Sequence, residues 1–268
     1  MRFHAQLIII DNFSRDQTVR KIRQALQPLF KDHEFLLIQN SKNEGFTKAV
    51  NQGLRQSKGK YILLLNPDTV ILDDVLPVLI EQLKKNDNFG IIAPQFLNSD
   101  GSIQPSCRCF PKHRDLLYTS LGLATILKKS PQFNHWKMGD FDHNSARFVD
   151  QPQGAFLLTQ QKTVQQVGLL DELFPMFFSD VDWCRRFTEK GWKIFFYPNV
   201  QIVHHKGTSI YKNRLKMIWS SHQSFYRYFK KYYPGCRWRL VNFFTKIYLM
   251  SLAIIRSLVY LTVKNKFK

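Results

Sequence analysis

The chain has 268 residues, a formal net charge of +19, 44% hydrophobic residues and 14% aromatic residues. This length allows one large domain or two small ones, and the apolar content excludes a disordered chain. Four cysteines without paired spacing predict reduced thiols, not a disulfide framework or a zinc site. The charge is uneven, because the segment from Lys190 to Lys268 holds 16 Lys and Arg residues and no Asp or Glu. Such a segment predicts an anionic partner, either a lipid surface or a nucleic acid.

Apolar strands alternate with helices in the first part of the chain. Strands are predicted at residues 7–10, 35–38, 61–65 and 90–94. Helices are predicted from a cap at Ser14 or Asp16 to about residue 29, from 46 to 55, and from 73 to 85. The βαβαβ order with short links is typical of a doubly wound α/β sheet. The apolar run at 7–10 is too short for a signal peptide and is predicted to be a buried strand.

The later elements are less regular. Residues 98–149 contain scattered Pro, Gly and His and are predicted to be an irregular insertion or an acceptor-side loop region. Further strands are predicted at 154–159, 193–197 and 200–204, with helices at 162–167 and 180–190.

The final segment is predicted to form two helices. The first, at residues 211–233, is rich in basic and aromatic side chains, and the second, at 240–263, is apolar. The second is just long enough to span a bilayer. However, its polar residues fall on one side, which favours a helix that lies in the membrane interface with basic neighbours on the headgroups. These residues are Asn242, Thr245, Lys246, Arg256 and Ser257.

Three acids occupy positions that are suited to chemistry. Asp11 and Asp68 follow apolar strands, and the carboxyl ends of parallel strands are where open α/β sheets bind ligands. Asp180 precedes a helix that also carries Asp182 and Arg186. Structural alternatives remain open at this point: Asp11 as a turn acid, Asp68 as a cap of the following turn, and Asp180 as a helix N-cap.

A set of motifs gives the chain a specific resemblance. They occur in this order: Ile10-Asp11-Asn12-x-Ser14-x-Asp16, Asn43-x-Gly45-Phe46-x-x-Ala49-x-Asn51-x-Gly53, Leu65-Asn66-Pro67-Asp68-Thr69, Gly154-Ala155-Phe156, Asp171-Glu172-x-Phe174, Asp180-x-Asp182-x-Cys184-x-Arg186 with Gly191-Trp192, and His204-x-x-Gly207-x-Ser209. Together they resemble family 2 glycosyltransferases with a GT-A fold, of the bacterial rhamnosyltransferase-like subgroup. The resemblance covers residues 7–210. It implies a Rossmann-like, mostly parallel sheet flanked by helices, followed here by the basic and apolar helical tail.

The resemblance also implies a role for each candidate residue. Asp180 is the expected catalytic base, which takes the proton from the acceptor hydroxyl in a single inverting displacement. Asp68 and His204 are the expected ligands of Mg²⁺ or Mn²⁺, although His204 is open to interpretation as a buried, hydrogen-bonded histidine. The expected donor-binding residues are Asp11, Asn43, Gly45, Phe46, Asn51, Asn66, Asp182 and Arg186. An alternative role for Asp182 is to pair with Arg186 or to orient the loop.

Three features depart from the family pattern. Asn66 stands where the family's DxD motif has its first acid, and Ser179 stands where the family has a Glu before the base. A leading strand and helix that normally precede the strand at 7–10 are not matched. Either the true start lies upstream, or the chain is a truncated copy that lacks activity.

The sequence therefore predicts an inverting glycosyltransferase domain at 1–210 and a membrane-associating tail at 211–268. The expected donor is a dTDP- or UDP-linked sugar, with rhamnose the best guess, and the expected acceptor is a lipid-linked or cell-surface saccharide. The expected location is the cytoplasmic face of a bacterial inner membrane, where the tail meets an anionic membrane surface peripherally. The alternative is an inactive glycosyltransferase-like protein that binds membrane or partner enzymes. Nucleic acid is not expected, because no recognition motif accompanies the charge.

Overall fold

The computed structural model describes residues 4–30, 34–72, 74–205 and 213–266. Contacts within the chain define two units. The first unit comprises Met1–Ser106 and His143–His204, and the second comprises Cys107–Asp142 and His205–Lys268. The predicted boundary at residue 210, between a glycosyltransferase domain and a membrane-associating tail, stays a prediction.

The first unit begins with a small parallel sheet. Strand β1 (Gln6–Asp11) leads through helix α1 (Thr18–Leu26) and a 3-10 helix (Gln27–Phe30) to β2 (Glu34–Gln39). The two strands pair in parallel, so that their carboxyl ends lie side by side. Helix α1 ends at Leu26, earlier than predicted, because Pro28 cannot supply a backbone N–H to continue it. Helix α2 (Phe46–Gln56) then packs on β1, where its Gly53 lies against Ile8 and Ile10.

A larger mixed sheet follows in the same unit. Its strands are β3 (Tyr61–Leu65), β4 (Thr69–Ile71), β5 (Phe89–Leu97), β10 (Phe156–Gln160) and β11 (Lys193–His204), in the order β3-β10-β5-β11-β4. Strand β11 runs parallel to β5, whereas β10 and β4 run antiparallel to their neighbours. The two strands predicted at 193–204 form one strand with a register shift after Tyr197, next to Pro198.

Short strands and helices complete the first unit. Strands β6 (Ile103–Gln104) and β8 (Arg147–Phe148) extend the sheet beside β5 and β11, and β9 (Gln151–Pro152) precedes β10. The helices are α3 (Val75–Lys85), α6 (Gln161–Val167) and α7 (Ser179–Glu189). The predicted helix start at Asp73 lies outside the described residues. This central sheet flanked by helices confirms the predicted α/β class. The expectation of a mostly parallel sheet is wrong for this sheet: among its described strands only β5 and β11 pair in parallel, because β10 and β4 run antiparallel to their neighbours.

The core of the first unit lies between α3 and the sheet. Apolar side chains of α3 pack on β5, β10 and β11; the most buried are Leu79, Leu83, Ile92, Phe96, Phe156 and Ile202. Helix α7 packs on β5 at Gly90, where an added Cβ would lie 2.7 Å from the Phe187 ring. A side chain at residue 90 would therefore displace the helix that carries Asp180.

The second unit is helical. It contains strand β7 (Cys107–Arg108) and helices α4 (His113–Ser120), α5 (Leu123–Ile126), α8 (Arg214–Tyr232) and α9 (Cys236–Lys266). Part of the segment predicted to be irregular thus forms helices that pack with the tail. The predicted start of the first tail helix, at residue 211, lies outside the described residues.

An aromatic cluster links α4 to the turn between α8 and α9. The His113 ring stacks on Phe229 and on Trp238, with ring centroids 4.1 and 5.1 Å away. Its Nε2 lies 2.9 Å from Oδ1 of Asn242, whose amide nitrogen donates to the carbonyl of Tyr233. Burial lowers the pKa of His113, so the ring is neutral at pH 7.

Candidate active site

The pairing of β11 with β4 brings Asp68 to His204. His204 lies opposite Thr69 in this ladder, and Asp68 immediately precedes Thr69. As a result, Nε2 of His204 lies 3.4 Å from Oδ1 of Asp68, although the two residues are 136 positions apart in the sequence. The structure therefore brings together the two residues that were predicted to bind the cation.

The Asp68 carboxylate is incompletely satisfied. Its Oδ1 is buried and makes no hydrogen bond among the described residues. The His204 side chain is 4% exposed and meets Phe96 edge to face. A buried carboxylate oxygen without a donor is costly unless a ligand completes its surroundings. The Asp68 carboxylate supplies the oxygen donors that Mg²⁺ and Mn²⁺ prefer, and His204 adds one nitrogen donor. Among the described residues no group of three or more His, Cys, Asp or Glu side chains could hold a metal ion. The pair therefore fits a divalent cation only together with further ligands, such as the phosphates of a donor.

A tight turn presents Asp68. The Asn66 N–H donates to the carbonyl of Ala155 at 2.9 Å, and the Asn66 carbonyl accepts from the Thr69 N–H at 3.2 Å. These bonds hold residues 66–69 against the start of β10. Asn66 itself is partly exposed beside Asp68, and its predicted contact with the donor stays a prediction.

Asp180 lies against the same start of β10. Its Oδ2 accepts from the Gly154 N–H at 3.0 Å and from Nε2 of Gln151 at 3.2 Å, and its Oδ1 accepts from the Val181 N–H at 2.9 Å. Burial raises the pKa of Asp180, while the hydrogen bonds from the Gly154 and Val181 amides oppose this rise. The group is thus an anchored carboxylate with enhanced basicity.

Local backbone geometry fixes the position of Asp180. The N-cap of α7 is Phe178, which makes no side-chain cap bond, so the alternative of Asp180 as the N-cap is not borne out. Phe178 has φ +69°, a conformation that a bulky residue seldom adopts and that the surrounding structure must enforce. A Cβ at Gly154 would lie 2.9 Å from Cβ of Asp180, so the close approach requires glycine.

Asp182 and Arg186 form an internal brace. Asp182 is fully buried and accepts from Nε of Arg186 at 2.9 Å, which confirms the alternative pairing expected from the sequence. The other two guanidinium nitrogens donate to the carbonyls of Val167 and Leu169. Because every guanidinium nitrogen has a protein partner, the pair braces α7, and its expected contact with the donor stays a prediction.

Asn51 is likewise engaged within the protein. It is 1% exposed, and its side chain exchanges two hydrogen bonds with the backbone of Leu170 at 2.9 and 3.0 Å. Thr47 reaches the same loop through its hydroxyl, which donates to the carbonyl of Phe174. These bonds fasten α2 to residues 170–175, so Asn51 positions α2, and its expected contact with the donor stays a prediction.

The N-terminal loop residues cluster at the carboxyl ends of β1 and β2. Asp11 is buried, and its Oδ2 accepts from the Ser14 N–H at 3.2 Å. Asn43 accepts from the Gly45 N–H and from the amide of Asn12, at 3.0 and 3.1 Å. Asn12, which the motif contained without a role, therefore links the two loops.

Two amides at the start of α2 already have partners in the protein. Gly45 is the N-cap at φ +89°, and its N–H donates to Asn43 at 3.0 Å. The Thr47 N–H donates to the carbonyl of Pro175 at 3.2 Å, and Phe46 between them is partly buried. The expected contact of Gly45 and Phe46 with the donor stays a prediction. The motif residues Gly207 and Ser209 lie outside the described residues.

Two glutamines that bond to candidate site residues were not predicted from the sequence. Gln151 donates to Asp180, and Gln104 accepts from Nδ1 of His204 at 2.8 Å. Neither belongs to a motif, and each contact joins residues far apart in the chain, so no local pattern could have identified them.

Comparison with known proteins agrees with this arrangement. Residues 3–126 match the family described as Glycosyl transferase family 2. This part of the chain is therefore similar to that family. One similar curated protein is the N-acetylglucosaminyl-diphospho-decaprenol L-rhamnosyltransferase of Mycobacterium tuberculosis, at 24% identity over 279 aligned residues that cover 98% of this chain and 87% of the relative. A poly-beta-1,6-N-acetyl-D-glucosamine synthase of Staphylococcus epidermidis is 30% identical over 138 residues, which cover 47% of this chain and 32% of the relative.

The fold of the chain also matches a solved structure. It superposes on the mannosyltransferase PcManGT from Pyrobaculum calidifontis in complex with GDP-Man and Mn²⁺, with a TM-score of 0.55 and 14% identity. The match covers 91% of this chain and 60% of the solved chain. At this identity the likeness establishes the GT-A type of fold and nothing more.

Proposed function

We propose that this protein is a glycosyltransferase that transfers a sugar from a nucleoside diphosphate donor to a saccharide acceptor, with inversion at the anomeric carbon. The observation that carries the proposal is the start of β10. Gly154 donates to the Asp180 carboxylate, and the next carbonyl, of Ala155, accepts from Asn66 in the turn that presents Asp68. Two adjacent residues, Gly154 and Ala155, thus bond to the proposed base and to the turn that carries the proposed cation ligand.

Asp180 acts as the base in this proposal. Its carboxylate takes the proton from the acceptor hydroxyl while that oxygen attacks the anomeric carbon, and a pKa raised by burial makes it a stronger proton acceptor. The hydrogen bonds from Gly154 and Gln151 hold the accepting group in place. Asp182 and Arg186 keep α7, and with it Asp180, fixed.

Asp68 and His204 would hold a divalent cation beside the leaving group. When bound, the cation neutralises the negative charge that develops on the departing nucleoside diphosphate. The buried, unbonded oxygen of Asp68 is the feature of the chain that fits this role. Asn66 lies in the same turn, where a neutral amide is a weaker ligand than a carboxylate.

Asp11 and Asn43 line the proposed donor side. A buried carboxylate at the end of β1 can accept from the ring N–H of uracil or thymine, and this supports a dTDP- or UDP-linked donor. Gly45 and Phe46 open α2 where the diphosphate would meet backbone amides. Rhamnose as the sugar and a lipid-linked acceptor are supported by the name of the mycobacterial relative.

The experiment is transfer from dTDP-rhamnose, with UDP-linked hexoses in parallel, to a lipid diphosphate that carries one N-acetylhexosamine. NMR of the product gives the anomeric configuration. We expect a product whose configuration is opposite to that of the donor. A product with retained configuration overturns the single displacement, and a folded protein that binds donor without releasing nucleotide favours the inactive alternative.

We further propose that the second unit attaches the protein to the cytoplasmic face of a bacterial inner membrane. This unit carries 20 Lys and Arg against 3 Asp and Glu, whereas the first unit carries 19 against 17. Helix α9 is long and apolar enough to cross a membrane by length and composition. Its inner side is formed by Asn242, Leu249 and Ala253. Its outer side exposes Leu240, Phe243, Phe244, Ile247, Ile254, Ile255, Leu258 and Leu261.

The polar side of α9 faces the unit itself. Asn242 bonds to His113 and Tyr233, and the Lys246 ammonium lies 5.6 Å from the centre of the Tyr226 ring of α8. Helices α4 and α5 add exposed Leu117, Leu121 and Ile126, and α4 touches α9 through Ser120 and Tyr248. An apolar face bordered by cations is the surface that an anionic bilayer binds, with the helix lying in the interface.

A further inference from the structure

Gln104 is a fully buried polar side chain next to His204. It lies on β6, opposite Phe96 of β5, and reaches β11. Its amide nitrogen is 3.1 Å from the main-chain carbonyl of His204 and 2.9 Å from Oδ1 of Asn98. Its Oε1 is 2.8 Å from Nδ1 of the His204 ring. One amide therefore contacts both the backbone and the ring of the same histidine.

The chemistry of these contacts fixes the orientation of the amide. A main-chain carbonyl can only accept, so the NH₂ end of Gln104 must face the carbonyl of His204. The hydrogen bonds of Asn98 support this orientation of Gln104. The NH₂ group of Asn98 donates to Oγ of Ser102 at 2.9 Å, so its oxygen accepts from the NH₂ group of Gln104. The oxygen of Gln104 is thus the atom that faces Nδ1, and an amide oxygen accepts only.

We propose that Gln104 is a positioning residue that holds neutral His204 in its Nδ1–H tautomer and so leaves the lone pair of Nε2 on the side of Asp68. A neutral imidazole carries one N–H, so a proton kept on Nδ1 is absent from Nε2. Nε2 then lies 3.4 Å from the unbonded oxygen of Asp68 as a second electron-pair donor. This inference rests on the proposed function, in which the two residues bind a cation.

The arrangement accounts for the burial of the Gln104 side chain, because both ends of its amide have hydrogen-bond partners. Metal-binding histidines are commonly oriented by a hydrogen bond from their other ring nitrogen, and loss of such a partner weakens metal binding by about 10–100-fold. Gln104 accepts that bond, and its NH₂ group donates to the main-chain carbonyl of His204 on β11. His204 is thereby held ready before a cation arrives.

The tautomer can be read directly in the full-length, metal-free protein. We would record ¹H–¹⁵N correlations of the histidine rings at a pH well above the ordinary histidine pKa of about 6.5, and assign His204 with His204→Gln. We expect the Nδ1–H pattern in the wild type. We expect that pattern to be lost in Gln104→Met, which keeps the shape and removes the acceptor.

Gln95 offers a matched control. It is also a buried glutamine of this sheet and donates to a main-chain carbonyl, that of His143. Gln95→Met should leave the His204 pattern unchanged, which separates a specific effect from a general loss of packing. An Nε2–H pattern in the wild type, or an unchanged Nδ1–H pattern in Gln104→Met, overturns the proposal.

Cation affinity gives a second readout. Mn²⁺ is titrated into the full chain in the presence of UDP and followed by electron paramagnetic resonance. Gln104→Met should weaken Mn²⁺ binding by about 10–100-fold, while Gln95→Met should not. Wild-type protein that binds no Mn²⁺ overturns the cation site of the proposed function, whereas binding that Gln104→Met leaves unchanged overturns only the role of Gln104.

Discussion

At the scale of single residues, the basicity of Asp180 has a measurable consequence. Burial raises its pKa above the ordinary value of 3.8, and the group must be ionised to accept a proton. Activity should therefore fall as the pH falls through this raised pKa, so the acidic limb of kcat/KM should lie above pH 3.8.

The hydrogen bond from Gln151 should affect the pH at which this acidic limb lies. The amide of Gln151 stabilises the charged form of Asp180, so Gln151→Leu should raise the pKa further and move the acidic limb to higher pH. The control is Gln166→Leu, since this exposed glutamine bonds instead to the Trp192 indole. Identical pH profiles of kcat/KM for Gln151→Leu and wild type would contradict the role assigned to Gln151.

Asp68 gives the second prediction at this scale. Asp68→Ala removes the carboxylate that would bind the cation, so UDP should bind with the same weak affinity in the presence and absence of Mn²⁺. The control is Asp87→Ala, because the Asp87 carboxylate is exposed and lies 4.0 Å from the Lys162 ammonium. Calorimetric titration of UDP measures both. A Mn²⁺-dependent gain in UDP affinity that survives Asp68→Ala would rule out this ligand.

The sequence identified the acids but not their partners. Asp68 and Asp180 lie in motifs that can be recognised in the sequence. Gln104 and His204 are 100 residues apart and meet because β6 and β11 both pair with β5. A motif also fails to say which way a side chain points. Asn51 and Arg186 match the family pattern, yet both are bonded inside the protein.

At the scale of elements, the brace on α7 can be tested by stability. Asp182→Ala leaves the Arg186 guanidinium partly buried without its carboxylate, which should cost about 3–5 kcal/mol of folding free energy. Glu189→Ala breaks the more exposed pair with Arg185 on the same helix and should cost less than about 1 kcal/mol. Thermal unfolding monitored by circular dichroism compares the two variants. Equal losses would show that the buried pair is no more than a surface ion pair.

The elements themselves were largely predictable where the apolar pattern is local. Strands β1, β2, β3 and β5 and helices α2 and α3 follow runs of apolar residues close to the predicted ranges. The direction of β10 and β4 could not be predicted, because strand pairing depends on contacts between distant segments. For the same reason, residues 107–142 gave no sign that they pack with the tail.

At the scale of the whole molecule, the two units differ in net charge and in their proposed roles: the first in sugar transfer, the second in membrane attachment. Deleting residues 240–268 would remove α9 but would also uncover Tyr228 and Phe229 of α8, which are buried in the second unit. Point variants on the outer face are therefore the sharper test of membrane attachment. They leave the contacts between α8 and α9 intact.

Phe244→Glu with Leu258→Glu should release the protein from vesicles that contain anionic phospholipid. Both side chains are exposed on the apolar face, where a carboxylate would enter the headgroup region at a cost and repel the lipid. The control is Gln56→Glu with Gln165→Glu, which makes the same charge change at exposed positions of the first unit. Co-sedimentation measures binding, and equal release by the two double variants would contradict an apolar docking face.

The most direct test of the whole account is sugar transfer by Asp180→Asn. This variant keeps the size of the side chain and removes the proton acceptor, so kcat should fall by about 10²–10⁴-fold while donor affinity changes little. Glu189→Gln on the same helix is the matched control and should transfer at the wild-type rate. Nucleotide release and formation of the glycosylated product should be lost together in Asp180→Asn and retained in Glu189→Gln. Near-normal turnover by Asp180→Asn would contradict the mechanism.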